Sequence, residues 1–364
     1  MKRSSFKFAS CLLIAGACLA GAACRKDSRP APFRHVLVSQ GVFILNQGLF
    51  QNNNSTLDYY DYRTKTLRKD IFGAANSGKK LGDTGNDIEI YGSKIYIVMH
   101  GSNTVEVADA RTVKSLATIS LTNGGKPRLP RAIVFDKNHA FVSCFDGTVQ
   151  VIDTATLQVS GFIPVGRNPE RMAISAGRLF VANSGGLSYP SNYDTTVSVI
   201  DLQGLRELKK ITVPENPGEV YADRYGKIYV ISHGDYFKVL PSTTLIDPLT
   251  YMTTGYSKSP RAMCFSGDSA YVFANDPVSG KTVYLLLNVK TQAVITTNFI
   301  HDRSDTSITT PFALATDPTT KNIFIGDARG FTSNGQVIIY DRKGNKQDAF
   351  TVGLNPGFFA FYSK

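Results

Sequence analysis

Residues 165–213 read VGRNPERMAISAGRLFVANSGGLSYPSNYDTTVSVIDLQGLRELKKITV, and this stretch decides the fold. It contains four short runs of alternating or continuous apolar residues, each bounded by Gly, Asn, Asp or Pro. Such runs are strands separated by turns. The first begins after a proline, at Pro169-Glu170-Arg171-Met172-Ala173-Ile174. The second, Leu179-Phe180-Val181-Ala182, has an aromatic residue in second place. The third, Thr196 to Asp201, ends in an aspartate whose carboxylate can accept backbone N–H bonds in a tight turn. The fourth, Leu208 to Val213, is the most polar and suits an outer edge.

The same unit recurs along the chain. The second run returns at Val42-Phe43-Ile44-Leu45, Ile95-Tyr96-Ile97-Val98, Ala140-Phe141-Val142-Ser143, Ile228-Tyr229-Val230-Ile231, Ala270-Tyr271-Val272-Phe273 and Ile323-Phe324-Ile325-Gly326. That makes seven copies at intervals of about 40 to 50 residues, the signature of a blade repeat. Third runs recur at Thr56 to Asp61, Thr104 to Asp109, Thr148 to Asp153, Thr282 to Asn288 and Gln336 to Asp341. The fifth reads as a degraded copy around Phe237-Lys238-Val239-Leu240. The runs after Pro130, Pro169 and Pro260 are the most apolar, as expected of crowded innermost strands.

Four strands per unit at this period predict an all-β, seven-bladed β-propeller of four-stranded blades. The chain ends in Asn355-Pro356-Gly357-Phe358-Phe359-Ala360-Phe361-Tyr362, an innermost strand with no blade left after it. It is expected to complete the first blade, so that the ring is closed by the C-terminal strand and no free sheet edge remains. The alternative is that His35 to Ser39 supplies the innermost strand and the C-terminus adds to it.

The N-terminus reads as a targeting segment. Lys2, Arg3 and Lys7 precede an apolar run, Ala9 to Ala23, too short to span a membrane. Leu19-Ala20-Gly21-Ala22-Ala23-Cys24, followed by polar residues, resembles a bacterial lipoprotein signal, which implies acylation of Cys24. Gly21 stands where that pattern usually has a large aliphatic residue, so Cys18 is a second candidate. The organisation is then a signal peptide at 1–23, a lipidated cysteine and linker at 24–32, and one propeller domain at 33–364.

The formal charge of +11 falls to +8 without the three basic residues of the signal. No Lys/Arg block tracks nucleic acid, so no nucleic-acid partner is expected. The charge fits an acidic small ligand or an anionic surface. Cys144 and Cys264 lie in separate blades and are expected to be buried free thiols.

The phrases Gly177–Ser184, Thr196–Asp201 and Val165–Glu170 closely resemble those of YVTN-repeat, YncE-like propellers. Openings such as Gly41 to Asn46 and Leu81 to Asp87 are similar to the lipoprotein branch of that family. The resemblance covers nearly the whole mature chain. It implies an outer-membrane lipoprotein, on the cell surface or the periplasmic side, held by its lipid anchor alone. Some members of that branch capture cobalamin for a TonB-dependent transporter. The total lack of Trp counts against Trp-Asp repeats and quinone-cofactor propellers.

In a propeller, loops entering the innermost strand and loops between the second and third strands share one face. The first residues of the seven innermost strands are Asp87, Arg131, Arg171, Glu219, Arg261, Phe312 and Phe358. They are expected to ring the axial channel in a mildly basic mouth. Its arginines either clamp an anionic or amide-rich ligand or pair with Asp87 and Glu219 as a plug. Long loops add Gln47, Phe50, Tyr189, Tyr193, Arg329 and Phe331 as ligand walls, and His233 lies beside them.

No metal-ligand spacing, nucleophile elbow or phosphate-cradling loop is present, so no metal, cofactor or catalytic residue is expected. His100 and His233 occupy matching places in blades nearly opposite each other. The function expected is non-enzymatic capture of a small ligand, a corrinoid first and a ferric siderophore second, by a monomer that passes it to a transporter. The alternatives are a protein- or glycan-interaction scaffold and a lactonase-like hydrolase using Glu219, Arg171 or Arg261, and His233.

Overall fold

The structure, a computed structural model, describes residues 38–276 and 279–364. The signal segment, Cys24 and the linker lie outside the described residues. Among the described residues no helix is long and apolar enough to cross a membrane.

Seven four-stranded antiparallel sheets form the blades. Blade 1 is Ser39–Asn46, Thr56–Asp61 and Thr66–Arg68, completed on the inside by Pro356–Ser363. Blade 2 runs from Gly85–Tyr91 to Ser115–Ser120. Blades 3 to 7 open with innermost strands Pro130–Asp136, Pro169–Ser175, Pro217–Ala222, Pro260–Ser266 and Pro311–Thr316.

The seven aromatic residues of the repeat explain how the blades pack. Successive side chains of a strand point to opposite faces. In each second strand the first residue of the motif therefore faces the preceding blade, and the aromatic faces the next. Phe43 sits between blades 1 and 2, Tyr96 between 2 and 3, and Phe141 between 3 and 4. Phe180, Tyr229 and Tyr271 fill the next three joints, and Phe324 fills the joint from blade 7 back to blade 1. None of the seven is more than 6% exposed. Fully burying such a ring contributes roughly 1.5–3 kcal/mol.

The second strands are the buried ones. The innermost strands alternate between blade interior and channel and are only half-buried. Although apolar in sequence, the innermost strands are thus less buried than the second strands. One of their faces meets water in the channel, whereas both faces of a second strand meet a neighbouring blade.

Seven carboxylates or amides close the turns after the third strands. Asp61, Asp109, Asp153, Asp201, Asp247, Asn288 and Asp341 each accept backbone N–H bonds two to four residues ahead. The fifth of these corrects the reading of blade 5. Its third strand is Ser242–Ile246, which pairs with Ile228–Ser232. Residues Phe237 to Leu240 belong to the loop before it. Their apolar side chains imitate a strand in sequence, but they are exposed.

The C-terminal strand closes the ring. Val42 pairs with Phe361, Phe43 with Ala360 and Ile44 with Phe359. Val38 and Lys364 exchange backbone bonds of 2.9 and 3.1 Å. Asp317, fully buried in blade 7, pins the joint. It accepts the hydroxyls of Ser39 and Tyr62, each at 2.8 Å. Blade 1 has a short outer strand, and the helix Ile71–Ala75 buries Ile71 and Phe72 beside it. Cys144 is buried and Cys264 half-buried, and both are free thiols. Burial raises both thiol pKa values.

Burial alone raises the Asp317 pKa, but hydrogen bonds from Thr319, Ser39, Thr320 and Tyr62 outweigh it and hold the carboxyl below its usual value of 3.8. The joint is then strongest where Asp317 is ionised in both states. Its contribution is present above about pH 4 and lost as pH falls through the lowered pKa. Asp317→Asn is expected to destabilise the protein by about 1–3 kcal/mol at pH 7. In denaturant titrations the gap to wild type should shrink below pH 4. A gap that does not change with pH would refute this role.

Candidate functional site

The innermost strands enclose an axial cavity of about 490 Å³. All seven expected ring residues line it: Asp87, Arg131, Arg171, Glu219, Arg261, Phe312 and Phe358. The expected mildly basic mouth is corrected, because Glu170 and Glu89 also face the cavity. Four acids therefore meet three arginines. The sequence reading counted only the first residue of each innermost strand. Glu170 precedes one such residue and Glu89 follows another by two, where alternation returns a side chain to the channel.

Arg171 organises this cluster. From blade 4 it reaches to blade 2, where Asp87 lies at 2.9 Å and the carbonyl oxygen of Asn86 accepts a bond of 3.2 Å. Glu219 of blade 5 lies at 3.9 Å, and Tyr221 donates to that carboxylate at 3.0 Å. The guanidinium also stands 4.6 Å from the centre of the Phe358 ring in blade 1. One side chain thus ties four blades together across the channel.

Arg131 is likewise engaged. It binds Glu170 at 2.7 Å and the Asn86 side chain at 3.1 Å, and it covers the ring of Phe145. These two arginines form a plug. Asp87 is further held by the N–H of Ile133 at 2.9 Å. Glu89 is exposed toward the channel but ringed by protein. Its enclosure first, and the Asp87 carboxylate second, push its carboxyl up, and Arg171 opposes them.

Arg261 differs. Among the described residues no hydrogen bond or ion pair holds its guanidinium, which lies 5.9 Å from the ring of Phe273 in its own blade. Phe312 and Phe358 follow it around the ring. Phe331, 41% exposed, meets Phe312 edge-on at 5.5 Å.

The loop residues distribute unevenly. Gln47 lines the cavity, and Phe50 stands exposed at the tip of the blade 1 loop. The Arg329 side chain is exposed; its backbone N–H donates to Asp327. Tyr189 is 61% exposed in the blade 4 loop, but Tyr193 is buried beneath it rather than forming a wall. Among the described residues its hydroxyl has no partner. Burial and neighbouring tyrosines push its phenol pKa up.

His233 does not line the cavity. It packs on the backbone of Gly218, where a Cβ would collide with its ring, and stacks on Tyr236. Among the described residues it shares no hydrogen bond with Glu219, Arg171 or Arg261, which line the cavity without it. His100 is held neutral by its burial and by Arg131, with its pKa lowered to about 4. Among the described residues no cluster of His, Cys, Asp or Glu can hold a metal ion.

Sequence reasoning missed Tyr236 and Phe237. Tyr189 lies 6.4 Å from Tyr236 and 6.2 Å from Phe237, ring centre to ring centre. Leu187 and Leu240, 64% and 79% exposed, lie in the same two loops. These loops are pinned. One Asp235 oxygen accepts the N–H groups of Phe237, Lys238 and Val239. Gly234, with φ of 67°, allows the close approach of the Val239 carbonyl. Arg167 bonds Ser188 and the Asn192 carbonyl across the blade 4 loop. The missing signal was the Gly234-Asp235 pair, which marks a turn rather than a strand.

Removing Arg171 leaves Asp87 and Glu219 facing each other without a cation. Arg171→Leu is expected to destabilise the protein by about 3 kcal/mol. Arg261→Leu should stay within about 0.5 kcal/mol of wild type. Urea midpoints of both variants test the plug, and equal losses would contradict it.

Several solved structures share this architecture at low identity. A quinonprotein alcohol dehydrogenase-like protein from Bacteroides thetaiotaomicron is 15% identical, with a TM-score of 0.65 over 90% of this chain and 79% of that one. A protein from Lactobacillus plantarum is 14% identical, with a TM-score of 0.60 over 89% of this chain and 100% of that one. Hydrazine synthase of Kuenenia stuttgartiensis is 18% identical, with a TM-score of 0.57 over 75% of this chain and 88% of that one. At these identities the likeness is one of fold alone. No curated protein matches the sequence. A family model does match, over residues 40–353, and the chain belongs to the family described as Domain of unknown function (DUF5074).

Proposed function

We propose that this propeller is a non-enzymatic binding protein of the outer membrane, anchored through lipidated Cys24. In this reading its loop face captures a small nutrient and passes it to a TonB-dependent transporter. A corrinoid is the first choice and a ferric siderophore the second. The observation that carries the reading is the pinned aromatic cluster of Tyr189, Tyr236 and Phe237 on the same face as the cavity mouth. Rigid aromatic side chains offer large contact area at little entropic cost. Because Arg171 bridges the channel, a ligand of corrinoid size rests on the face rather than entering the axis. The resemblance of the repeat phrases to YncE-like lipoproteins supports the same reading.

A second reading is favoured by one specific feature. Arg131 and Arg171 are neutralised internally, and the aromatic cluster is accompanied by exposed Leu187 and Leu240. Such a surface also suits a protein or glycan partner.

The purified protein should melt several degrees higher with its ligand in a screen of cobalamin, cobinamide, haem and ferric siderophores. Tyr189→Ala, Tyr236→Ala and Phe237→Ala should each reduce the shift. No shift with any compound would move the weight to the macromolecular partner, sought by pull-down from membranes.

The anchor has its own test. Palmitate labelling of cells should be lost in Cys24→Ser and kept in Cys18→Ser. The reverse pattern would move the anchor to Cys18.

A further inference from the structure

Ion pairing divides the axial cavity into two unlike halves. On blades 2 to 5, Asp87, Glu170 and Glu219 pair with Arg131 and Arg171, and Glu89 stands beside them. On blades 6, 7 and 1 the wall is Arg261, Phe312 and Phe358, with Phe331 above. Among the described residues Arg261 is the ring arginine left without an anionic or hydrogen-bonding partner. Its planar fork of N–H groups matches a carboxylate or a phosphate. The neighbouring rings are only half-buried and offer apolar faces to the cavity.

We propose that blades 6, 7 and 1 form an anion subsite. In it Arg261 takes a carboxylate or phosphate of the ligand, and Phe312, Phe358 and Phe331 pack a flat apolar group attached to it. This rests on the small-ligand reading above and narrows its chemistry. The other half has an acidic excess, with Asp87, Glu89, Glu170 and Glu219 against Arg131 and Arg171, and this confines an anion to the Arg261 side. The paired carboxylates are already spent on arginines, so they offer an incoming cation little. A ligand bearing one anion thus replaces the solvent around Arg261, whereas a neutral analogue leaves that guanidinium unmatched.

Calorimetry on the full protein with naphthalene-2-carboxylate, 2-naphthyl phosphate and naphthalene-2-carboxamide tests the subsite. At least one anion should bind about tenfold or more tightly than the amide, and the better of the two names the anionic group. Arg261→Gln should bring that ratio close to one. Arg224→Gln removes a charge from a surface pair with Asp268 on the opposite face and should leave the ratio intact. Phe312→Ala should weaken all three probes together and preserve the ratio, which separates ring packing from charge. Equal binding of anion and amide by the wild type, a ratio that survives Arg261→Gln, or no binding of any probe would overturn the proposal. A corrinoid or siderophore shift unaffected by Arg261→Gln would overturn the subsite while leaving the loop-face reading standing. An anion preference with no shift from any nutrient would do the opposite.

Discussion

The structure depends on one repeated contact: an aromatic ring at the second position of each second strand, inserted into the joint with the next blade. A four-stranded sheet exposes two apolar faces and can cover neither alone. Each ring covers one face by borrowing the neighbour's strand. Phe43, Tyr96, Phe141, Phe180, Tyr229 and Tyr271 form a chain of such contacts, and Phe324 has nowhere to go unless the ring closes. Closure then needs an innermost strand for blade 1, and the C-terminus supplies it. Asp317, Ser39 and Tyr62 fasten that joint with buried hydrogen bonds.

The ring in turn determines what the axis can do. Seven innermost strands bring their first residues into one small space, so side chains from blades distant in sequence meet. Arg171 and Asp87 belong to blades 4 and 2, yet they pair across the channel. A cavity crowded with unlike charges neutralises itself wherever geometry permits, because an unpaired charge there is costly. Arg261, exposed to the channel, is the ring arginine left without such a partner.

The loop face follows a different logic. Its loops are free of the repeat's packing constraint and vary in length. The two that carry exposed rings are nonetheless rigid, held by Asp235, Arg167 and the close turn at Gly234. An exposed apolar cluster on a pinned loop is costly to maintain in water.

The sequence by itself determined the blade number, the order of strands and the closing role of Pro356–Ser363. These follow from local periodicity: alternation, turn residues and the recurrent aromatic all act within a few residues. It also placed Asp87, Arg131, Arg171, Glu219, Arg261, Phe312 and Phe358 around one channel, since the repeat assigns each the same position in its blade. Only the tertiary structure decided which of the arginines are spent and which is free. That depends on distances between side chains 39 or more residues apart, about one blade period, and no local pattern encodes them. The same is true of Tyr236 and Phe237. Their sequence alternates like a strand, but the hydrogen bonds of Asp235 and the pairing of Ser242–Ile246 with its neighbour make them a loop.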